Sequence, residues 1–265
     1  MTWNLARRVA RALARRAGYK IVRATRAVGE APAATSPDMV TVPRYLAPSG
    51  HKLIDFRQEP GFRELAQQVI SQDRTLLDFN RLLTLWHAVR NVRGSRQPAA
   101  EVGTYRGGSA WFIAAALRHW RMAVPLHVID TFSGHPDVVE PEVDGPHTAG
   151  LFADTSLEAV QTYLAEFPSV KIHPGEFEQV SPALADQRFC LVHLDVDLYQ
   201  SAVAALRFFW PRLSPGGTIV VDDYGFTTCQ GMKLAVDDFV HRSADCATWY
   251  VHTGQFVLTK QAAGV

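Results

Sequence analysis

The chain has 265 residues, 47% hydrophobic and 20% charged, with a formal net charge of +1, enough for one α/β domain with a sizeable core and an appendage. Residues 1–30 hold eight basic groups against Glu30 alone, while the remainder carries 19 basic and 25 acidic groups, and this mildly acidic body argues against nucleic acid as a partner. Three cysteines (Cys190, Cys229 and Cys246) without any CxxC or Cys/His zinc spacing suit a reducing cytoplasm, and no run approaches the roughly 20 apolar residues of a transmembrane helix.

From the N-terminus, Trp3, Ala6, Ala10, Leu13, Ala17 and Ile21 recur near helical spacing with arginines on the other face, so residues 1–30 read as a basic amphipathic helix. Arginines every few residues break the apolar core a secretory signal needs. Such a helix suits peripheral membrane contact through residues 1–26, a role in homo-oligomer formation, or a plain solvated terminus. Residues 31–60 form a connector, because Pro32, Pro37, Pro43, Pro48 and Pro60 forbid a long helix. Residues 61–265 form the main domain, opened by helices over Phe62–Ser71 and Arg74–Val92.

From residue 99 strands and helices alternate. Strand Ala99–Gly103, helix Gly108–Trp120 and strand Pro125–Asp130 precede a long loop, followed by helix Ser156–Phe167 and strands Val170–Pro174 and Cys190–Asp195. Helix Ser201–Leu213, strand Thr218–Asp223, helix Gly231–His241 and a pair at Ala247–Val251 and Gln255–Thr259 complete the chain. The alternation predicts an α/β fold: a mostly parallel seven-stranded sheet with helices on both faces and an antiparallel hairpin at one edge.

Chemistry concentrates at the predicted strand ends, where open α/β sheets bind ligands. Leu194-Asp195-Val196-Asp197-Leu198-Tyr199 and Asp222-Asp223-Tyr224 each follow a buried apolar run. Four carboxylates arriving together repel one another unless a cation or proton lies between them, and hard divalent ions take oxygen ligands of this kind. Asp197, two residues beyond Asp195, shares its face if the strand stays extended. Tyr199 and Tyr224 are expected to flank the site. The first strand ends in Glu101-Val102-Gly103-Thr104-Tyr105-Arg106-Gly107-Gly108-Ser109, a turn that lets a ligand approach backbone and a helix N-terminus. Asp130 ends the second strand, where an acid suits ribose hydroxyls. His193, inside an apolar run, reads as a hydrogen-bonded core residue, and His135 and His147 flank the long loop. Asp195-Val196-Asp197 is also formally the D-x-D of metal-dependent glycosyltransferases, and a catechol-type small-molecule O-methyltransferase is a further alternative.

Taken together, Glu101-x-Gly103-x-x-Arg106-Gly107-Gly108, Asp130-Thr131-Phe132-Ser133-Gly134, Leu194 through Ser201, and Leu213-Ser214-Pro215-Gly216-Gly217 through Asp222-Asp223-Tyr224-Gly225 resemble the macrocin O-methyltransferase family. The four segments span about residues 99–240. The resemblance implies a Rossmann-like class I fold and methyl transfer from S-adenosylmethionine to a sugar or glycoside hydroxyl, assisted by Mg²⁺. It implies Asp195, Asp222 and Asp223 as metal ligands and Asp197 as general base beside Asp195. Glu101, Gly103, Tyr105, Ser109, Asp130, Glu176 and Phe177 would line the S-adenosylmethionine site, and the loop His135–Phe152 would frame the acceptor. Tyr105 stands where the family usually has Trp.

Overall fold

A computed structural model describes residues 39–41, 52–54, 59–136 and 141–262, with backbone alone at 39–41, 52–54 and 141. The amphipathic helix over residues 1–30 lies outside the described residues. The chain divides into a unit over Met1–Asp55 and a unit over Phe56–Val265. In the first, β1 (Met39–Thr41) and β2 (Lys52–Ile54) form an antiparallel pair, so the stretch read as connector contains strand.

The second unit runs α1 (Phe62–Ser71), α2 (Phe79–Asn91), β3 (Ala99–Val102), α3 (Gly108–His119), β4 (Leu126–Asp130), α4 (Pro141–Asp144), α5 (Leu157–Leu164) and β5 (Val170–Pro174). It continues through α6 (Phe177–Val180), a 3₁₀ turn at Ser181–Leu184, β6 (Phe189–Leu194), α7 (Tyr199–Phe209) and a 3₁₀ turn at Trp210–Arg212. The last elements are β7 (Leu213–Val221), α8 (Gln230–His241), β8 (Cys246–Tyr250) and β9 (Phe256–Lys260). The seven strands lie in the order β5-β4-β3-β6-β7-β9-β8, parallel through β7 and antiparallel at the β9 and β8 edge. Strand order reverses between β3 and β6, and there a crevice opens beyond the carboxyl ends.

Helices cover both faces. Residues such as Phe62, Leu82, Trp86, Phe112 and Ile113 pack with Ala99, Val128, Leu191 and Val220 on one face. Ala202, Leu206, Phe209, Met232 and Val236 pack with Val102, Val192, Ile219 and Val221 on the other. The period-two alternation of strand side chains puts Val102 and its neighbour Glu101 on opposite faces. Glu101 and His193 are register partners on β3 and β6, so two fully buried charged or polar side chains meet in the sheet.

One boundary moved with consequence. The helix expected from Arg74 begins at Phe79, because the Asp78 side chain accepts hydrogen bonds from the Asn80 and Arg81 amides at 2.9 Å each and caps it there. Residues 74–77, freed from helix, line the crevice. Among the described residues no helix is long and apolar enough to cross a membrane.

Candidate active site

The crevice holds a cavity of about 310 Å³, the size of a small-molecule site. Of the residues expected to bind cofactor, Gly103, Tyr105, Ser109, Asp130 and Phe177 line it, as do Asp195, Asp197 and Asp223. Glu101, Glu176 and Asp222 do not. Glu176 precedes α6 and lies between the lining residues Gly175 and Phe177. Glu101 and Asp222 are fully buried behind the surface.

The Gly turn is built for the protein's own backbone. A Cβ on Gly103 would meet the carbonyl oxygen of Asp195 at 1.8 Å, and one on Gly108 would meet Arg74 backbone at 2.6 Å. Gly103 also sits at φ +81°, a conformation that costs L-residues energy. Asp130 holds the turn from the neighbouring strand: one oxygen accepts from the Thr104 and Tyr105 amides at 2.7 and 2.9 Å, the other from Phe132 at 2.7 Å.

Past Leu194, β6 does not stay extended. Asp197 adopts φ 60°, and the Leu198 amide bonds back to the Val196 carbonyl at 2.6 Å, so Asp195 and Asp197 share no strand face. Both still reach the cavity. Asp223 adopts φ 59° and Tyr105 φ 51°. Four of the seven described non-glycine residues at positive φ (Tyr105, Phe152, Asp197 and Asp223) line this cavity, the concentration of backbone strain expected where geometry serves a ligand. Tyr199 and Tyr224, expected to flank the site, do not line it. The Tyr199 amide donates to Asp144 at 2.7 Å at the start of α7, and the Tyr224 hydroxyl donates to Asp237 on α8 at 2.8 Å.

Two cations offset the carboxylates. The Arg81 Nη1 donates to Asp222 Oδ1 at 2.9 Å and to Asp223 Oδ1 at 3.2 Å. His193 bridges Glu101 Oε1 at 2.9 Å and Asp222 Oδ2 at 3.3 Å, and Gln255 donates to the same Asp222 oxygen at 3.1 Å. Burial alone would strip the His193 proton, but the two carboxylates hold it and push its pKa up to about 10. Burial likewise opposes charge on Asp222, yet His193 and Arg81 more than offset it and keep its carboxyl below the ordinary range. Asp195 is pushed well up by burial and by the charges of Asp222 and Asp223. Burial and the charges of Asp222 and Asp197 push Asp223 up to about 7, with Arg81 working the other way.

A second polar cluster faces the first. His135 Nε2 lies 3.2 Å from Asp197 Oδ2, and Cys229 Sγ lies 3.4 Å from His147 Nε2 and 3.6 Å from Asp197 Oδ1. Burial disfavours charge on Asp197, but hydrogen bonds to His135 and Asp223 outweigh it and hold its carboxyl low. Burial pushes the Cys229 thiol up to about 12, with the Asp197 charge adding to it. Donor atoms of His193, Asp195 and Asp222 lie within 4.8 Å of one another, as do those of Asp197, Asp223 and Cys229. The expected metal ligands are thus divided between two trios. Their oxygens are the donors a hard divalent ion takes, and the Arg81 guanidinium stands in for a cation between Asp222 and Asp223.

Sequence reasoning missed Arg74, Arg81 and Cys229. The arginines were absorbed into a helical pattern, and Cys229 had no partner at motif spacing. His193 is the buried, hydrogen-bonded core residue its apolar surroundings suggested.

A model of the family described as Macrocin-O-methyltransferase (TylF) matches residues 32–246, reaching well upstream of the four motifs. The chain is 33% identical over 222 residues to the 8-demethyl-8-(2,3-dimethoxy-alpha-L-rhamnosyl)-tetracenomycin-C 4'-O-methyltransferase of Streptomyces olivaceus, covering 77% of this chain and 85% of that one. It is 30% identical over 177 residues to the demethyldecarbamoylnovobiocin O-methyltransferase of Streptomyces niveus, covering 62% and 67%. The solved structure of the O-methyltransferase NovP superposes with a TM-score of 0.61 at 24% identity, over 71% of this chain and 83% of that chain, a likeness of fold. The D-x-D glycosyltransferase alternative falls with these matches: Asp195 and Asp197 follow a strand of a Rossmann-like class I methyltransferase sheet. The chain belongs to the macrocin O-methyltransferase family and is an S-adenosylmethionine-dependent O-methyltransferase.

Proposed function

We propose that the protein transfers a methyl group from S-adenosylmethionine to a hydroxyl of a sugar-containing acceptor, with Asp195, Asp222 and Asp223 holding Mg²⁺ and Asp197 serving as general base. The observation that carries this reading is the meeting, at one switch-point cavity, of a glycine turn pinned by Asp130 with Asp195, Asp197 and Asp223 from just beyond β6 and β7, Asp222 lying buried behind them. The name of the Streptomyces olivaceus relative supports the acceptor class, since it describes an enzyme acting on a rhamnosyl-bearing compound.

S-adenosylmethionine brings the methyl sulfonium, and Mg²⁺ when bound acts as a Lewis acid and template that lowers the acceptor hydroxyl's pKa. The chain's residues supply position and proton transfer. Gly103, Tyr105, Ser109, Asp130 and Phe177 line the half of the cavity assigned to the cofactor. Asp197, kept ionised by its hydrogen bonds, takes the hydroxyl proton at Oδ1 or Oδ2 as the methyl group leaves sulfur. Reaction requires in-line alignment of acceptor oxygen, methyl and sulfur at near-contact distance, and excluding water from the cavity favours it. His135, Pro136, His147 and Phe152 also line the cavity and frame the acceptor.

The test is turnover of the full-length protein with S-adenosylmethionine and a panel of rhamnosylated aglycones, read by mass spectrometry, with and without Mg²⁺. The expected product carries one additional methyl group on the sugar, and chelation abolishes its formation. Methylation of a simple catechol but of no glycoside overturns the acceptor assignment. Turnover unchanged by chelation overturns the metal.

A further inference from the structure

We propose a second, softer metal site at the acceptor side of the cavity, built from His135, His147, Asp197 and Cys229, that takes Zn²⁺ or a similar nitrogen- and sulfur-loving transition ion. It adjoins the oxygen cluster of Asp195, Asp222 and Asp223, since Asp223 lies within 4.8 Å of Asp197 and Cys229, and its binding does not depend on which residue is the catalytic base.

The four side chains come from four places in the chain. His135 follows β4, His147 follows α4, Asp197 follows β6 and Cys229 immediately precedes α8. No two of them sit at a zinc-motif spacing; only the fold assembles them. Donor atoms of His135, His147 and Asp197 all lie within 4.8 Å of one another. Cys229 closes the figure, 3.4 Å from His147 Nε2 and 3.6 Å from Asp197 Oδ1, while His135 Nε2 stands 3.2 Å from Asp197 Oδ2.

Those three contacts have about the edge lengths of a tetrahedral site, with Asp197 offering Oδ2 on the His135 side and Oδ1 on the Cys229 side. With Zn–N and Zn–O bonds of about 2.0–2.1 Å and Zn–S of about 2.3 Å, a tetrahedron has N···O edges of about 3.4 Å and N···S or O···S edges of about 3.6 Å. Protein-only contacts explain the cluster less well. A thiol is a weak hydrogen-bond partner, yet Cys229, 3% exposed, is placed against a carboxylate and an imidazole. A bound cation deprotonates a coordinating thiol outright, which turns that weak pairing into ligation.

The donor set also sets the selectivity. Imidazole and thiolate favour zinc over magnesium, whereas the adjoining all-carboxylate cluster favours the hard ion. Asp197 borders both clusters, since Asp223 contacts it from the other side. Zinc at the second site therefore occupies the carboxylate proposed to accept the proton.

The experiment uses full-length, chelator-treated protein titrated with Zn²⁺ in competition with a chromophoric chelator, and with Co²⁺ followed by electronic absorption. One equivalent of zinc binds, and cobalt gives the intense d–d bands of a tetrahedral ion with a sulfur-to-cobalt charge-transfer band. Cys229→Ser loses the charge-transfer band. Both Cys229→Ser and His147→Gln weaken zinc at least about tenfold, a loss that even an outer-shell partner can cause. Asp222→Asn, outside the donor set, keeps the spectrum. Circular dichroism confirms that each variant is folded. Zinc retention in both Cys229→Ser and His147→Gln, a charge-transfer band that survives Cys229→Ser, or a spectrum lost only in Asp222→Asn overturns the proposal.

Discussion

The Arg81 guanidinium and the Asp222 carboxylate meet at 2.9 Å across a separation of 141 residues, and the same nitrogen reaches Asp223 at 3.2 Å. One side chain of α2 thus supplies the positive charge that two strand-end acids need. It does so with its carbonyl and Asp222 both tied to Gln255, so the helix and the carboxyl end of β7 are locked together.

Removing Arg81 leaves Asp222 and Asp223 without their closest cation. Arg81→Gln is expected to cost about 3 kcal/mol without divalent ions, as loss of one partner of a buried pair does. Millimolar Mg²⁺ is expected to restore more stability to the variant than it adds to the native chain. Denaturant unfolding with and without the ion checks this, and an equal response in both proteins would count against a cation site at these acids.

Gly103→Ala tests the turn. Its Cβ would lie 1.8 Å from the Asp195 carbonyl, and both partners are backbone. A cost of about 3–5 kcal/mol with loss of S-adenosylhomocysteine binding is expected. Gly216, at φ +77° with nothing within 4 Å, is the control; its alanine variant carries only left-handed strain, about 1 kcal/mol. Similar losses at both positions would mean that the Asp195 contact is not what fixes Gly103.

Asp197→Asn keeps the shape and removes the base. Turnover is expected to fall by about 10²–10⁴-fold, with S-adenosylhomocysteine binding unchanged in calorimetry. A variant with near-native turnover would move proton transfer to another group.

His193 predicts a pH dependence. Its folded pKa of about 10 lies above the ordinary value of 6.5, so its contribution to stability is fully present below pH 6.5 and is lost as pH rises towards 10. The stability gap between the native chain and His193→Gln is therefore expected to be widest near pH 6.5 and to narrow steadily into the alkaline range. Unfolding free energies measured across that window check it; a gap that is flat or grows with pH would mean that His193 is not held protonated by Glu101 and Asp222.

Sequence alone determined the sheet, the order of its elements and the chemistry at its carboxyl edge. Those features are local: β5 occupies Val170–Pro174 as read from the alternation of strands and helices, and the acid motifs directly follow buried strands. It also supplied the family resemblance, which rests on contiguous motifs. Only the tertiary structure decided which groups neutralise those acids. Arg81 lies in an ordinary helical pattern, and Glu101 and His193 become partners only through the register of β3 against β6. The end of β6 at Leu194, which sends Asp197 into a turn, likewise follows from backbone bonds between strands and loops. The cluster of His135, His147, Asp197 and Cys229 was invisible for the same reason: long-range packing leaves no spacing in the chain, and it was packing that brought a lone cysteine within 3.6 Å of Asp197.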